Sequence, residues 1–306
     1  MYLKTFEPND VGRDFVIGDL HGKICHFNAL LQGLNFDKTK DRMFSVGDLV
    51  DRGEDSLSCL ELIIEPWFHS VKANHELLMR EAFSIRGAEA WWYESGGFWG
   101  AEAVNDFISN RPPSDRSALI IELMNKTEEL PFLITVKTTN GTKVHIMHAE
   151  LPPGCLPSDD ELEDPEFVRY ISQMHNARNG PFILWSRDVW GWYGANALHD
   201  HEQLVRYATL SKHDALEHNG LSHIISGHTP VKRPMTIPGR TNIDTGAYKN
   251  KPWAALSCLE INTWRFYQVK RARGEFVFDE VQPEVINKDE IIQLRTRNEI
   301  NSRSQS

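Results

Sequence analysis

The stretch that decides the fold is Val46-Gly47-Asp48-Leu49-Val50-Asp51-Arg52-Gly53. An apolar run ends at a glycine, a carboxylate follows at once, and a second carboxylate and a guanidinium come three and four residues later. Burying these charges beside an apolar strand costs several kcal/mol unless metal ions and a bound phosphate pair with them. The same residues also fit a strand-to-turn junction before a helix that Asp55 caps. The stretch alone therefore leaves a metal site and a structural turn both open.

Four other segments repeat the design of an apolar strand that ends in side chains able to ligate a metal. These side chains are Asp19 with His21, Asn74 with His75, His148, and His228. Sites in open α/β sheets form at the carboxyl ends of strands. Five strand ends of this kind predict one shared site, and coincidence becomes a poor explanation.

Composition and charge exclude several classes of protein. The chain has 306 residues, of which 41% are hydrophobic and 25% charged, values typical of a globular protein with a sizeable core. The net charge of -10 argues against nonspecific nucleic-acid binding, which needs a basic surface. No apolar stretch approaches the ~20 residues of a membrane span, and residues 1–14 lack a signal-peptide pattern. We therefore expect no nucleic acid, no membrane and a cytoplasmic location.

Strands and helices alternate over the first eighty residues, which predicts an α/β fold with parallel strands joined by right-handed crossovers. Apolar spacing predicts helices over residues 24–34, 57–64 and 74–82. The Asn140-Gly141 pair between two apolar runs predicts a β-hairpin in a second, strand-rich half. The four cysteines contain no Cys-x-x-Cys pair, so we expect thiols and neither a zinc knuckle nor a disulfide scaffold.

The domain organisation predicted from these patterns is one domain over residues 1–284 and a polar tail over residues 285–306. Residues 86–130 are predicted to form a mainly helical insertion beside the site. This insertion carries Trp91, Trp92 and Trp99. Aromatic residues in such a segment pack in a core more often than they bind a ligand, and we expect packing here.

The strand-end side chains have the chemistry of a site for two divalent ions. Asp48 is the candidate shared ligand, because a carboxylate can span ions ~3.5 to 4 Å apart and a neutral imidazole cannot. Oxygen and imidazole ligands without thiolate favour Mn²⁺, Fe or Zn²⁺ over copper, and make Mg²⁺ a weak substitute. One ion would also bind Asp19 and His21, and the other would bind Asn74, His148 and His228.

Taken in order, these residues resemble the phosphoprotein phosphatase branch of the calcineurin-like metallophosphoesterases. The resemblance covers about residues 15–247 and looks most like the bacteriophage lambda and bacterial PrpA/PrpB serine/threonine protein phosphatases. Two small departures are Ala73, where the family usually has Gly before the Asn-His pair, and Ala149, where eukaryotic members have Gly after the histidine that corresponds to His148. The matching motifs are Gly18-Asp19-Leu20-His21-Gly22, Gly47-Asp48, Asp51-Arg52-Gly53, Asn74-His75-Glu76, His148 and Gly227-His228.

The resemblance implies a four-layer fold, with two mixed β-sheets between layers of helices. It also assigns His75 as the general acid with Asp51 as its partner. The residues agree, because His75 adjoins the ligand Asn74 and an imidazolium needs an orienting carboxylate. Arg52 would clamp phosphate oxygens. The segment Trp185-Ser186-Arg187 resembles the family's second clamp and favours Arg187 over Arg178 or Arg206.

The resulting hypothesis is hydrolysis of phosphomonoesters by direct attack of a hydroxide that bridges two metal ions, without a phosphoenzyme. The expected substrates are phosphorylated proteins or peptides, at serine or threonine and also at tyrosine. Mn²⁺ is the expected ion, with Fe or Zn²⁺ as alternatives.

Two alternatives stay open. A symmetrical dinucleoside tetraphosphatase shares most of these motifs, although that family tends to carry Gln at the position of His21. A noncatalytic scaffold with the same fold would have lost ligands or the catalytic histidine, and this chain keeps them.

Overall fold

The computed structural model describes residues 1–152, 154–176, 180–193, 201, 203–205, 221–293 and 296. The α-helices with both ends in this part are α1 Ile24–Gly33, α2 Ser56–Glu61, α3 Asn74–Ser84, α4 Ala88–Glu94, α5 Ala101–Ile108, α6 Asp115–Lys126, α7 Asp159–Leu162, α8 Pro165–Ser172 and α9 Phe182–Trp185. The strands are β1 Leu3–Phe6, β2 Asp14–Ile17, β3 Arg42–Ser45, β4 Phe68–Ser70, β5 Leu133–Lys137, β6 Lys143–Met147, β7 His175–Asn176, β8 Gly180–Pro181, β9 Ile224–Ser226, β10 Met235–Ile237, β11 Arg240–Asn242, β12 Leu256–Glu260, β13 Arg265–Ala272, β14 Glu275–Val281 and β15 Glu284–Val285.

Two mixed sheets form the centre of the fold. One has the strand order β14-β13-β12-β2-β3-β4, and the other has the order β1-β5-β6-β9-β11-β10-β15. In the first sheet β2, β3 and β4 are parallel, and their last residues share one register, Ile17 beside Ser45 and Ser45 beside Ser70. In the second sheet β6 and β9 are parallel, with Ile146 beside Ile225. The segments that follow these strands therefore emerge at common sheet edges.

Three of the four apolar clusters in the described residues join the layers of the fold. The core between the sheets contains Val16 and Phe44 from one sheet and Ile146 and Ile225 from the other. A second core packs α1 and the helices of the insertion on the outer face of the first sheet. A third packs α8 and α9 on the outer face of the second sheet. The expected four-layer α/β arrangement is confirmed.

Most predicted elements form close to their predicted bounds. The helices predicted over residues 24–34 and 74–82 are α1 and α3, and the Asn140-Gly141 hairpin joins the antiparallel pair β5 and β6. Asp55 does cap α2, because its side chain accepts a hydrogen bond from the Ser58 backbone. Residues 46–53 therefore form a strand-to-turn junction before a capped helix and also carry the candidate ligand Asp48.

The insertion consists of α4, α5 and α6, and Trp92 within it is fully buried. Residues 285–306, which the sequence analysis assigns to a polar tail, begin within β15, whose strand pairs with β10. Ile286 and Ile291 are also buried, against Met235 and Ile237. The chain therefore remains packed beyond Glu284, because Ile286 and Ile291 are buried although charged residues surround them in the sequence.

Two further properties bear on the sequence expectations. All four cysteines are free thiols. No helix in the described ranges is long and apolar enough to cross a bilayer.

Candidate active site

The ligand-bearing residues lie at the sheet edge where the strands end, in strained backbone. His21, Asp48, Asp51, Arg52 and His228 all have positive φ, between 43° and 73°. This left-handed region costs a non-glycine residue roughly 1–3 kcal/mol, and such strain concentrates at functional sites. Sharp left-handed turns directly after the strands bring five functional side chains towards one point.

Backbone hydrogen bonds lock these turns to one another. The Asp48 carbonyl accepts from the Leu20 amide at 3.1 Å and from the His21 amide at 2.7 Å. The Asp19 carboxylate accepts from the His228 amide at 3.1 Å. A Cβ on Gly227 would overlap that carboxylate, which explains why glycine precedes His228. The loops of both sheets are therefore a single interlocked unit.

Asp48 lies between two groups of nitrogen donors. Its Oδ2 is 3.4 Å from His21 Nε2 and 4.0 Å from His75 Nε2. Its Oδ1 is 3.5 Å from His148 Nε2, in a group that also contains His228. In each group the candidate donor atoms all lie within 4.8 Å of one another, and every residue is buried. Asp48 is the member that the two groups share.

The hydrogen bonds of the rings separate ligands from the candidate acid. His148 Nδ1 lies 2.8 Å from the Val46 carbonyl and His21 Nδ1 lies 2.9 Å from the Val50 carbonyl. A carbonyl only accepts, so each neutral ring carries its proton on Nδ1 and exposes a lone pair at Nε2. This is how a protein commonly orients a metal-binding histidine.

The resulting contacts fit a cation. His148 Nε2 faces Asn74 Oδ1 at 2.6 Å, so two lone pairs oppose each other unless a positive charge lies between them. His228 Nε2 is buried and has no hydrogen-bond partner in the described structure. Burial, together with the neighbouring His148 and Arg187, lowers the pKa of His228 well below its usual range. The neutral imidazole that results is the form that binds metal.

Buried carboxylates supply the complementary negative charge. Burial, followed by the charges of Asp244 and Asp48, raises the pKa of Asp19 well above its usual range. Burial likewise raises the pKa of Asp244 to about 6, and its Oδ2 has no partner among the described residues. Three carboxylates this close require compensation, which a bound cation provides. The sequence analysis missed Asp244, although it follows the end of β11 by two residues and the strand-end pattern applies to it.

His75 has a different partner from the other rings. Its Nδ1 lies 2.6 Å from Asp51 Oδ2, and both side chains are buried. Two indoles of the insertion donate to the same carboxylate, Trp99 Nε1 at 2.8 Å and Trp92 Nε1 at 3.1 Å. The expectation that these tryptophans pack is confirmed for Trp92, which is fully buried. Their hydrogen bonds to Asp51 were not predicted, since no local spacing connects them to it.

Arg52 connects the two imidazoles of the first group. Its Nη1 donates to His21 Nε2 and its Nη2 to His75 Nε2, each at 2.7 Å. Its guanidinium also stacks on the Tyr248 ring, 4.6 Å from the centroid. A positive charge thus already lies against the lone pairs of His21 and His75. Tyr248, which the sequence analysis missed, forms the outer wall of the site beside His21, with ring centroids 4.7 Å apart.

Arg187 reaches the opposite side of the site. Its Nη1 donates to the His228 carbonyl at 2.8 Å and to Thr229 Oγ1 at 3.2 Å. The other two candidates for this clamp, Arg178 and Arg206, lie outside the described residues.

The loop that carries Arg187 is tied to Glu150. The buried Glu150 carboxylate accepts from Ser186 Oγ at 2.8 Å and from the backbone amides of Val189 and Trp190 at 3.0 Å and 2.8 Å. The sequence alone did not indicate this role of Glu150.

Residues 15–232 match the calcineurin-like phosphoesterase family. The chain belongs to that family. This phosphoesterase is therefore an enzyme, and its donor groups able to hold metal stand where the strand-end pattern predicts a site.

Two kinds of bacterial relative are similar to this phosphoesterase. Serine/threonine-protein phosphatase 2 of Escherichia coli is 34% identical over 76% of this chain and 87% of its own. Serine/threonine-protein phosphatase 1 of Salmonella typhimurium is 29% identical over 76% and 86%. A symmetrical bis(5'-nucleosyl)-tetraphosphatase of Mannheimia succiniciproducens is 40% identical over 58% of this chain and 60% of its own.

Proposed function

We propose that this phosphoesterase is a metal-dependent phosphoprotein phosphatase that acts on phosphoserine and phosphothreonine, and also on phosphotyrosine. The observation that carries the proposal is the buried pair of His75 and Asp51. The Nε2 atom of His75 lies 4.0 Å from Asp48 Oδ2, at the centre of the candidate metal site. An alkoxide leaving group needs a proton, and this pair is placed to deliver one. The similarity to the two bacterial protein phosphatases supports the same substrate class.

Two divalent cations are proposed as cofactors, with Mn²⁺ the expected ion. Asp48 would be shared between them, with Asp19 and His21 on one side. Asn74, His148 and His228 would serve the other. When bound, the ions would polarise the phosphoryl group and lower the pKa of water. His228 Nδ1, 3.1 Å from His148 Nε2, and the opposed lone pairs of His148 and Asn74 support the second of these ligand groups.

The protein's own groups then perform the remaining steps. Arg52 would turn from the two imidazoles to the phosphate oxygens, as a guanidinium fork suits that geometry. This frees His75 Nε2 to carry a proton and pass it to the leaving oxygen. Asp51 would accept the Nδ1 hydrogen bond throughout and stabilise the imidazolium. Arg187 is proposed as the second clamp, from beside His228.

Dinucleoside tetraphosphate hydrolysis is the second candidate, favoured by the similarity to the Mannheimia enzyme. Comparison of kcat/KM for a phosphoserine peptide and for diadenosine tetraphosphate, with Mn²⁺ at fixed pH and salt, tests the choice. We expect the peptide to be favoured by at least roughly tenfold, about 1.4 kcal/mol of transition-state binding. A reversed ratio would assign the enzyme to nucleotides. The proposed compartment is the cytoplasm, which fractionation of the source cells tests.

A further inference from the structure

A basic cavity adjoins the active site on the far side of Tyr248. It has a volume of about 530 Å³ and is lined by Lys23, His26, Lys249, Lys251 and Arg271, among others. Glu54 also lines it and pairs with Lys23 at 2.7 Å. The cations outnumber this carboxylate in a protein whose net charge is -10. Such a local positive cavity favours an anionic ligand.

The start of helix α1 and the buried His26 border the same cavity. Helix α1 begins at its wall, with no side-chain cap and no acidic residue in its first turn. The free amides of a helix N-terminus favour an anion. Independently, His26 is only 8% exposed, and its Nδ1 has no hydrogen-bond partner in the described structure. The uncapped helix start and the four cations therefore both give this cavity a positive potential.

The cavity lies within reach of a substrate held at Arg52. The Arg52 guanidinium is 4.6 Å from the Tyr248 ring centroid, and Lys249 Nζ is 5.0 Å from the same centroid. An extended peptide advances about 3.3–3.6 Å per residue. An acidic side chain two or three residues from the phosphorylated residue can therefore span from one cation to the other.

We propose that this cavity is a subsite for an acidic side chain of the substrate, near its phosphorylated residue. The proposal rests on the phosphoprotein phosphatase function proposed above. A phosphate at Arg52 and a carboxylate at Lys249 would then each contact one of the two cations beside the Tyr248 ring.

The test compares two phosphoserine peptides that differ only in having Glu or Gln at the second and third positions on each side of the phosphorylated residue. We expect the wild-type holoenzyme to favour the Glu peptide by roughly tenfold in kcat/KM, less at high salt. The double variant Lys249→Glu, Arg271→Glu should reduce this ratio to about one. Lys40→Glu is the matched control, since Lys40 is 60% exposed, pairs with Asp37, and should keep the ratio. Thermal melts check that each variant is folded.

Peptides that are not turned over are scored as inhibitors of p-nitrophenyl phosphate or diadenosine tetraphosphate hydrolysis. A tenfold ratio of inhibition constants that the double variant abolishes would support the subsite, even though absent turnover contradicts the phosphatase function. Equal use of both peptides, or a preference that survives in the double variant, would overturn the subsite and leave the phosphatase function standing. A tenfold loss confined to diadenosine tetraphosphate would assign the cavity to phosphate and overturn the acidic side chain.

Discussion

The strand-end loops and the helical insertion contribute to one site by different means. The loops place Asp48 and His228 through strained left-handed backbone that neighbouring amides and carbonyls hold. The insertion has no group in the metal cluster and instead donates two indole N–H groups to Asp51. One region therefore sets the charge of the site, whereas the other holds Asp51, the hydrogen-bond partner of His75.

The largest expected effect comes from a substitution in the strand-end loops. Asp48→Asn removes the negative charge that both donor groups share, and we expect turnover of a phosphoserine peptide to fall about 10⁴-fold or more. The exposed Asp10→Asn is the control and should keep full activity. Steady-state kinetics with circular dichroism of both variants makes the measurement. Substantial activity in a folded Asp48→Asn protein would refute the shared role.

His75→Asn tests the proposed general acid, which follows a strand end and pairs with the carboxylate that the insertion holds. Loss of the proton donor should lower kcat for phosphoserine esters roughly 10²- to 10⁴-fold with little change in KM. The loss should be smaller for p-nitrophenyl phosphate, whose leaving group needs little protonation. Kinetics on both substrates decide, and equal losses would count against His75 as the general acid.

Trp99→Phe isolates the contribution of the insertion. It removes one hydrogen bond to a buried carboxylate, an interaction worth about 1.5–3 kcal/mol, and we expect roughly a tenfold fall in kcat for phosphoserine esters. Because the effect passes through His75, p-nitrophenyl phosphate should be less affected. Trp91→Phe is the control, since that ring stacks on Trp185 instead. If Trp99→Phe keeps the wild-type kcat for both esters, the Trp99 hydrogen bond to Asp51 has no part in catalysis.

The smallest expected effect concerns the tether of Arg187. Glu150→Gln replaces an acceptor of three hydrogen bonds by a group that also donates, and we expect KM to rise roughly threefold to fivefold. If Glu150 acts through Arg187, the double variant with Arg187→Ala should be no worse than Arg187→Ala alone. A double-mutant cycle measures this, and additive losses would give Glu150 a separate function.

The strand ends could be predicted because each ligand lies within a few residues of an apolar run. Asp19, Asp48 and His148 are each visible from local spacing and a rule about sheet edges. The same rule would have found Asp244. The bonds from the indoles to Asp51 could not be predicted, since Trp92 and Trp99 lie 41 and 48 residues away along the chain. Their position depends on how the insertion packs, which no short pattern encodes.

The basic cavity could not be predicted from the sequence either, because its cations come from distant segments of the chain. Lys23 and Arg271 come from opposite ends of the chain and meet only because α1 packs against the sheet that contains β13. In the sequence they are ordinary surface cations. The motifs were enough to predict the fold and to propose the ligand set. The position of Tyr248 at the wall of the site and the hydrogen bonds of Glu150 to the Arg187 loop are visible only in the three-dimensional structure.

The mechanism proposed here requires that two cations bind at the strand ends and that turnover depends on both. Metal-free protein, prepared with a chelator, is titrated with Mn²⁺ while bound metal and phosphoserine peptide turnover are measured together. We predict saturation at two ions per chain, with activity restored as the second ion binds, and lower occupancy in Asp48→Asn. Activity that persists without metal, or two ions fully bound to Asp48→Asn, would refute the two-cation site with Asp48 as its shared ligand.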